Sequence, residues 1–170
     1  MPISLKNKVV LITGASSGFG ADAAKLFAAE GCRVILTARR LDRLQTLAAE
    51  IQSKGGEALA IPVDVAERAE VDVMVQTALD LYRNIDILFN NAGYGAYGLL
   101  EATPMEKIER QFATNVLGLL AVTKAVVPHL RQRKSGVLVN ISSIGGKMTF
   151  PLGTLYHGTK FAVEGLSEAL

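Results

Sequence analysis

Tyr156 and Lys160 stand four residues apart near the end of the chain, and side chains at that spacing share a helix face. A phenol ionises near pH 10, too high for an effective base at neutrality. An ammonium held close to a phenol favours the phenolate. Such a pair can pass a proton to or from a carbonyl or alcohol oxygen while a hydride moves to or from the carbon. Ser142 and Ser143 follow the apolar run Gly136 to Ile141, and a hydroxyl there can hydrogen-bond the same oxygen. Each feature alone is common on helix surfaces and in loops, so the chemistry rests on what else the chain carries.

A second cluster lies at the other end, in Thr13-Gly14-Ala15-Ser16-Ser17-Gly18-Phe19-Gly20. The β-branched run Val9 to Ile12 leads into it, and a helical pattern follows with Phe19, Ala23, Leu26 and Phe27 expected on one face. Gly14 and Gly18 can take backbone angles closed to other residues and allow an anion to approach. Gly20 lets the helix pack close to the strand. The free N–H groups of the first helical turn then face a phosphate. The strand before and the helix after make this a dinucleotide-binding pattern rather than an ordinary tight turn.

Strands and helices alternate to position these clusters. Strands are expected at Val9–Thr13, Arg33–Ala38, Ala58–Val63, Ile85–Phe89 and Gly136–Ile141. Helices are expected at Gly18–Glu30, Leu41–Lys54, Glu67–Tyr82, from Thr103-Pro104 to Arg131, and from Leu155 onward. Thr103 is read as the cap of the long helix, Pro104 as its first residue and Pro128 as the site of a bend. The strands are continuous apolar runs, as in a parallel sheet covered by helices on both faces. Right-handed crossovers make this an α/β doubly wound, Rossmann-type fold, with ligands above the carboxyl ends of the strands. Polar clusters follow three of those ends: Thr37-Ala38-Arg39-Arg40, Asp64-Val65 and Asn90-Asn91-Ala92-Gly93. Ala38 stands where a carboxylate usually holds the ribose of NAD, and Arg39 suits the extra phosphate of NADP. NADP is therefore expected over NAD.

Together these clusters resemble the classical short-chain dehydrogenase/reductase family. Thr13 to Gly20 matches its TGxxxGxG pattern, Asn90 to Gly93 its NNAG segment, and Tyr156 to Lys160 its YxxxK. Ser143, thirteen residues before Tyr156, and Asn115 in the long helix lie where the family has its catalytic serine and asparagine. The resemblance implies Tyr156 as general acid/base and Lys160 as the residue that lowers its pKa and binds the nicotinamide ribose. It implies Ser143 positioning the substrate oxygen and Asn115 holding a water that relays protons to Lys160. Gly14, Ser16, Ser17, Gly18, Phe19, Gly20, Arg39, Asp64, Val65 and Asn90 to Gly93 would line the cofactor, with Asp64-Val65 at the adenine. Ser17 replaces the second arginine that some NADP enzymes carry in the glycine loop, so the preference rests on Arg39, helped by Arg40. Family members continue into further strands and a substrate-covering segment that this sequence lacks, leaving the fifth strand as an open edge. The implied activity is hydride transfer between NADP(H) and a carbonyl or alcohol; the alternative is a non-catalytic NADP-binding protein. A sugar-nucleotide epimerase is disfavoured because its usual TGxxGxxG is absent.

The chain of 170 residues, 49% hydrophobic and 20% charged, is expected to form a single domain over 1–170. Its net charge of +2 and lack of basic runs argue against nucleic acid. No leader is read at the N-terminus, and the apolar stretch Val116 to Val127 is judged too short to span a bilayer. Cys32 is the lone cysteine, expected as a small buried residue, and a cytoplasmic location is expected. Val116 to Val127 is apolar around much of the helix, so its face away from the sheet needs a cover. The family resemblance implies the matching helices of a second subunit, giving a homodimer or homotetramer through the long and last helices, the alternative being burial by further C-terminal residues. Tyr94, Tyr97, Met148, Phe150 and Leu152 are read as an apolar wall for the substrate.

Overall fold

The computed structural model describes residues 4–170. Five parallel strands form one sheet in the order β3-β2-β1-β4-β5, with β1 at Val9–Thr13, β2 at Arg33–Ala38, β3 at Glu57–Pro62, β4 at Ile87–Asn90 and β5 at Val137–Asn140. Helices α1 (Gly18–Ala29), α2 (Leu41–Ser53), α3 (Arg68–Tyr82), α4 (Met105–Phe112), α5 (Leu119–Arg133) and α6 (Thr154–Ala169) complete the doubly wound α/β arrangement. The strand order reverses between β1 and β4, which pair through Val10–Ile87, Leu11–Leu88 and Ile12–Phe89. The loops after these two strands therefore flank the switch point where such folds place a ligand.

The all-apolar strand β1 is explained by burial from both sides. Val9 and Leu11 pack with Val71, Met74, Val75, Val122 and Val126 on one face. Val10 and Ile12 pack with Ala24, Leu44, Leu47 and Ile51 on the other. Alternate side chains of a strand point to opposite faces, so helices on both sides require apolar residues at every position. Asp86 fixes the bottom of β1: its carboxylate accepts the Val9 N–H at 2.9 Å and faces Lys8 and Arg133 at 3.4 and 3.3 Å. Burial pushes this carboxyl up, but the Val9 N–H, the Asn84 side chain and Lys8 outweigh it and hold the group below its ordinary value.

Several expectations are corrected. The face of α1 that meets the sheet is made by Gly20, Ala24 and Phe27, whose ring meets Phe89 edge-on, while Phe19 and Leu26 are exposed. The first turn carries glycine at position 20 because an added Cβ there would fall 2.5 Å from the Gly14 carbonyl oxygen. Thr103 does not cap the long helix: its hydroxyl donates to the Leu99 carbonyl, a short 3-10 turn occupies Leu100–Ala102, and Pro104 precedes the first helical residue. The long helical run extends past Arg131 to Arg133 and passes through Pro128. Its irregularity is a π-helical turn, Ala113–Gly118, between α4 and α5. The run from Met105 to Arg133 is longer than the apolar stretch suggested, and by length and composition alone it could cross a bilayer. In this fold its residues Val122 and Val126 pack into the core. The segment after β5 contains a 3-10 turn at Ile144–Gly146. The remaining ends differ by one or two residues, as helix and strand ends commonly do. Cys32 is buried beside β2, with its thiol on the Leu5 carbonyl at 3.2 Å, and burial raises its pKa.

Candidate active site

The loop after β1 is built for close approach. Gly14 has φ of +68°, and a Cβ there would lie 2.8 Å from the Ala92 Cα. The site needs glycine both for its backbone angle and for its contact with the loop after β4. Thr13 joins the two loops: its hydroxyl accepts the N–H groups of Asn91 and Ala92, each at 3.0 Å. The Asn91 amide returns to the carbonyls of Thr13 and Gly14 at 3.1 and 3.2 Å. Asn90 points the other way, donating to Thr123 at 2.9 Å and to Asn140 at 3.0 Å, and so links β4, α5 and β5.

A cleft open to solvent runs from Gly14, Ser16 and Ser17 past Arg39, Arg40, Asp64 and Val65 to Ala92, Gly93 and Thr114. Arg39 is exposed in its wall. Arg40 reaches across the glycine loop, with one guanidinium nitrogen 2.8 Å from the Ser16 hydroxyl and 2.9 Å from that of Ser17. Gly18 and Phe19 are exposed at the start of α1. Val65 is buried, whereas the Asp64 carboxylate is engaged by the Arg110 guanidinium and by the Ala66 N–H. Nothing near Asp64 in the sequence announces Arg110, which arrives from α4.

The tyrosine–lysine pair lies on α6 as the spacing predicts. A Cβ placed on Gly95 would be 3.1 Å from the Tyr156 ring, and one on Gly145 would be 3.2 Å from it. The ring thus sits in a slot between the loop after β4 and the turn after β5. The Lys160 ammonium is 5.8 Å from the ring centroid and donates to the Ile141 carbonyl at 2.7 Å. Burial holds the Lys160 pKa below the usual lysine value. Ser143 stands at the head of the turn after β5, where its hydroxyl accepts the Gly145 N–H at 3.0 Å. That contact puts Ser143 beside the glycine that borders Tyr156.

Asn115 lies in the π-helical turn and is buried. Its amide nitrogen donates to the Tyr94 carbonyl at 2.8 Å and to the Thr159 hydroxyl at 3.0 Å. Its oxygen accepts the Tyr94 N–H at 3.0 Å. Gln111, on the same face of the run, accepts the Ala96 N–H at 3.1 Å. Together they clamp the loop that carries Gly95 and Tyr97. Tyr97 leans on Tyr156 with ring centroids 5.6 Å apart and stacks on Phe150 at 6.2 Å. Burial raises the Tyr97 pKa. Gln111, Gly95, Gly145 and Thr159 are the contributors that residue types and spacing did not reveal. Only Gln111 left a signal, lying one helical turn before Asn115.

The model for short chain dehydrogenases matches residues 8–170. The chain belongs to the short-chain dehydrogenase family. Its relatives include an uncharacterised oxidoreductase of Schizosaccharomyces pombe, 48% identical over 122 residues. That match covers 72% of this chain and 52% of the relative, so the chain spans about half of the yeast protein's length. A short-chain dehydrogenase/reductase from Burkholderia phymatum, solved with NAD, superimposes with a TM-score of 0.95 at 30% identity, covering 98% of this chain and 60% of that one. A metagenomic short-chain oxidoreductase solved with NADP gives a TM-score of 0.94 at 32% identity, covering 98% of this chain and 76% of that one. The short-chain dehydrogenase fold is therefore present over the five strands described, and the residues matching TGxxxGxG, NNAG and YxxxK occupy the strand ends and α6.

Proposed function

We propose that the protein is an oxidoreductase that transfers a hydride between NADP(H) and a carbonyl or alcohol on an apolar body. The observation that carries this reading is the seat of Tyr156. Its ring is held between Gly95 and Gly145, the buried Lys160 ammonium lies at its side, and Ser143 stands at the same turn. Gly14 and Gly20 bring the first turn of α1 close to the loop after β4, and Gly18, with nothing within 4 Å of an added Cβ, leaves open space there for a dinucleotide phosphate. The nicotinamide, when bound, supplies or takes up the hydride. Tyr156 gives a proton to the carbonyl oxygen in reduction and removes it from the alcohol in oxidation. Ser143 hydrogen-bonds that oxygen. Lys160 contributes positive charge beside the phenol and binds the nicotinamide ribose. Asn115 braces the Tyr94 loop against α6, and the free lone pair of its oxygen is the place for a relay water. The exposed rings of Tyr97 and Phe150, with Met148 and Leu152, support an apolar substrate.

Preference for NADP rests on Ala38, Arg39 and Arg40 at the rim of the cleft. Fluorescence titration of the intact protein with NADPH and NADH tests it. Replacing Arg39 and Arg40 together by alanine is expected to weaken NADPH roughly 10- to 100-fold, as befits lost charge-assisted contacts to a phosphate. NADH affinity should move little. Equal losses for both cofactors would instead assign Arg40 to the shape of the glycine loop, through Ser16 and Ser17.

A homo-oligomer is part of the same proposal. Leu117 is exposed on the long helical run, and Leu120, Ala121 and Lys124 of α5 line a groove with Arg68 and Asp72 of α3. A lysine at Leu120 should lower the molecular mass measured by light scattering to that of a smaller species. An unchanged mass would remove this face from the interface.

A further inference from the structure

We propose that His157 is a positioning residue that fixes the substrate wall beside Tyr156, a role that rests on the oxidoreductase reading above. The imidazole is almost fully buried, only 3% exposed. Nδ1 lies 2.8 Å from the Gly145 carbonyl, and Nε2 lies 3.2 Å from the Phe150 N–H. A carbonyl can only accept and an amide N–H can only donate, so the ring carries its hydrogen on Nδ1 and leaves Nε2 bare. One side chain thereby ties both ends of segment 145–150 to the helix that carries Tyr156.

The surroundings are shaped to this imidazole. A Cβ on Gly153 would fall 2.4 Å from Nε2, and one on Gly145 would fall 2.9 Å from Nδ1. Two glycines therefore leave the room the ring occupies. Phe150 meets it edge-on, with centroids 4.1 Å apart and planes at 85°. The contacts continue from Phe150 to Tyr97 and from Tyr97 back to Tyr156. His157 thus closes a circuit of rings whose outer members, Tyr97 and Phe150, are exposed. A flat apolar body lying against those two rings would have its oxygen directed by their distance from Tyr156. That distance depends on where His157 holds Phe150. The structure selects substrates with an aryl or extended apolar group next to the reacting carbonyl.

The test has two arms on the intact enzyme. Nitrogen-15 NMR of labelled histidine reads the tautomer; the chain holds only two histidines, and a His129→Gln variant assigns the signals. An Nδ1–H form at His157 is expected, and an Nε2–H form would overturn the bridge. Steady-state kinetics of His157→Ala then compare an aryl ketone with a small aliphatic ketone. The KM for the aryl ketone should rise roughly tenfold more than that for the small one, the size expected for two lost hydrogen bonds. The change in kcat should be the smaller effect, and His157→Asn, which keeps a donor for Gly145, should recover part of the loss. An unchanged ratio of KM values, or an equal fall in kcat for both ketones, would reduce His157 to a folding role. If the unmodified enzyme reduces neither ketone, the oxidoreductase reading fails, while the tautomer still decides whether the bridge exists.

Discussion

Changing Tyr156 to phenylalanine will lower carbonyl turnover roughly 100- to 10,000-fold, the range contributed by a positioned proton donor, while NADPH affinity stays nearly the same. The separation follows from the packing. The ring is retained by its slot between Gly95 and Gly145 and by Tyr97, and phenylalanine fills the same slot. Only the hydroxyl is removed, so the substrate oxygen loses its proton partner while the cleft from Gly14 to Gly93 is untouched. Lys160 keeps its hydrogen bond to Ile141 in the variant, which anchors its ammonium independently of the phenol. Loss of nicotinamide absorbance with a carbonyl substrate measures turnover, and fluorescence titration measures binding. Unchanged turnover would remove Tyr156 from the proton path and favour cofactor binding as the protein's task. A parallel fall in NADPH affinity would mean that the tyrosine acts by holding the cofactor.

What could be read from sequence follows a physical division. Val9 to Thr13 announces a central strand because burial on both faces leaves no place for a polar alternation, and Gly14 follows it at the turn. The Tyr156–Lys160 spacing specifies a shared helix face without help from the rest of the chain. The features that were missed depend on partners far away in sequence. The π-helical turn at 113–118 has no local signature; Asn115 is held there by Tyr94 on one side and Thr159 on the other. Phe19 and Leu26 suggest an inward apolar face, yet both are exposed, and the sheet is met by Gly20, Ala24 and the partly buried Phe27. Arg39 and Arg40 are equally suited by charge, and their side-chain directions depend on the turn out of β2. The structure sends Arg40 to the serines of the glycine loop. Asp64 reads in sequence only as part of the adenine segment, and α4 supplies Arg110 to its carboxylate.

Replacing Gly20 by alanine will destabilise the protein by about 1–3 kcal/mol, through overpacking, and will weaken NADPH binding at least several-fold. Local propensity predicts the opposite sign: alanine is favoured over glycine within a helix by up to about 1 kcal/mol. The contact decides the outcome. The added Cβ would lie 2.5 Å from the Gly14 carbonyl oxygen and 2.6 Å from Asn91 Nδ2. The first is backbone, and it cannot swing aside as the end of a flexible side chain can. Relief requires α1 to move off β1 or the Gly14 peptide to turn. Either shift stretches the Asn91 bonds to Thr13 and Gly14, each worth about 1 kcal/mol when intact. It also disturbs the glycine loop at the start of α1, the proposed seat of the cofactor phosphate. Thermal or urea unfolding alongside NADPH titration of the variant measures both effects. A stabilised variant with full affinity would show that propensity wins and that α1 need not lie so close to the first strand. A destabilised variant that still binds fully would separate the packing of this helix from the shape of the phosphate loop.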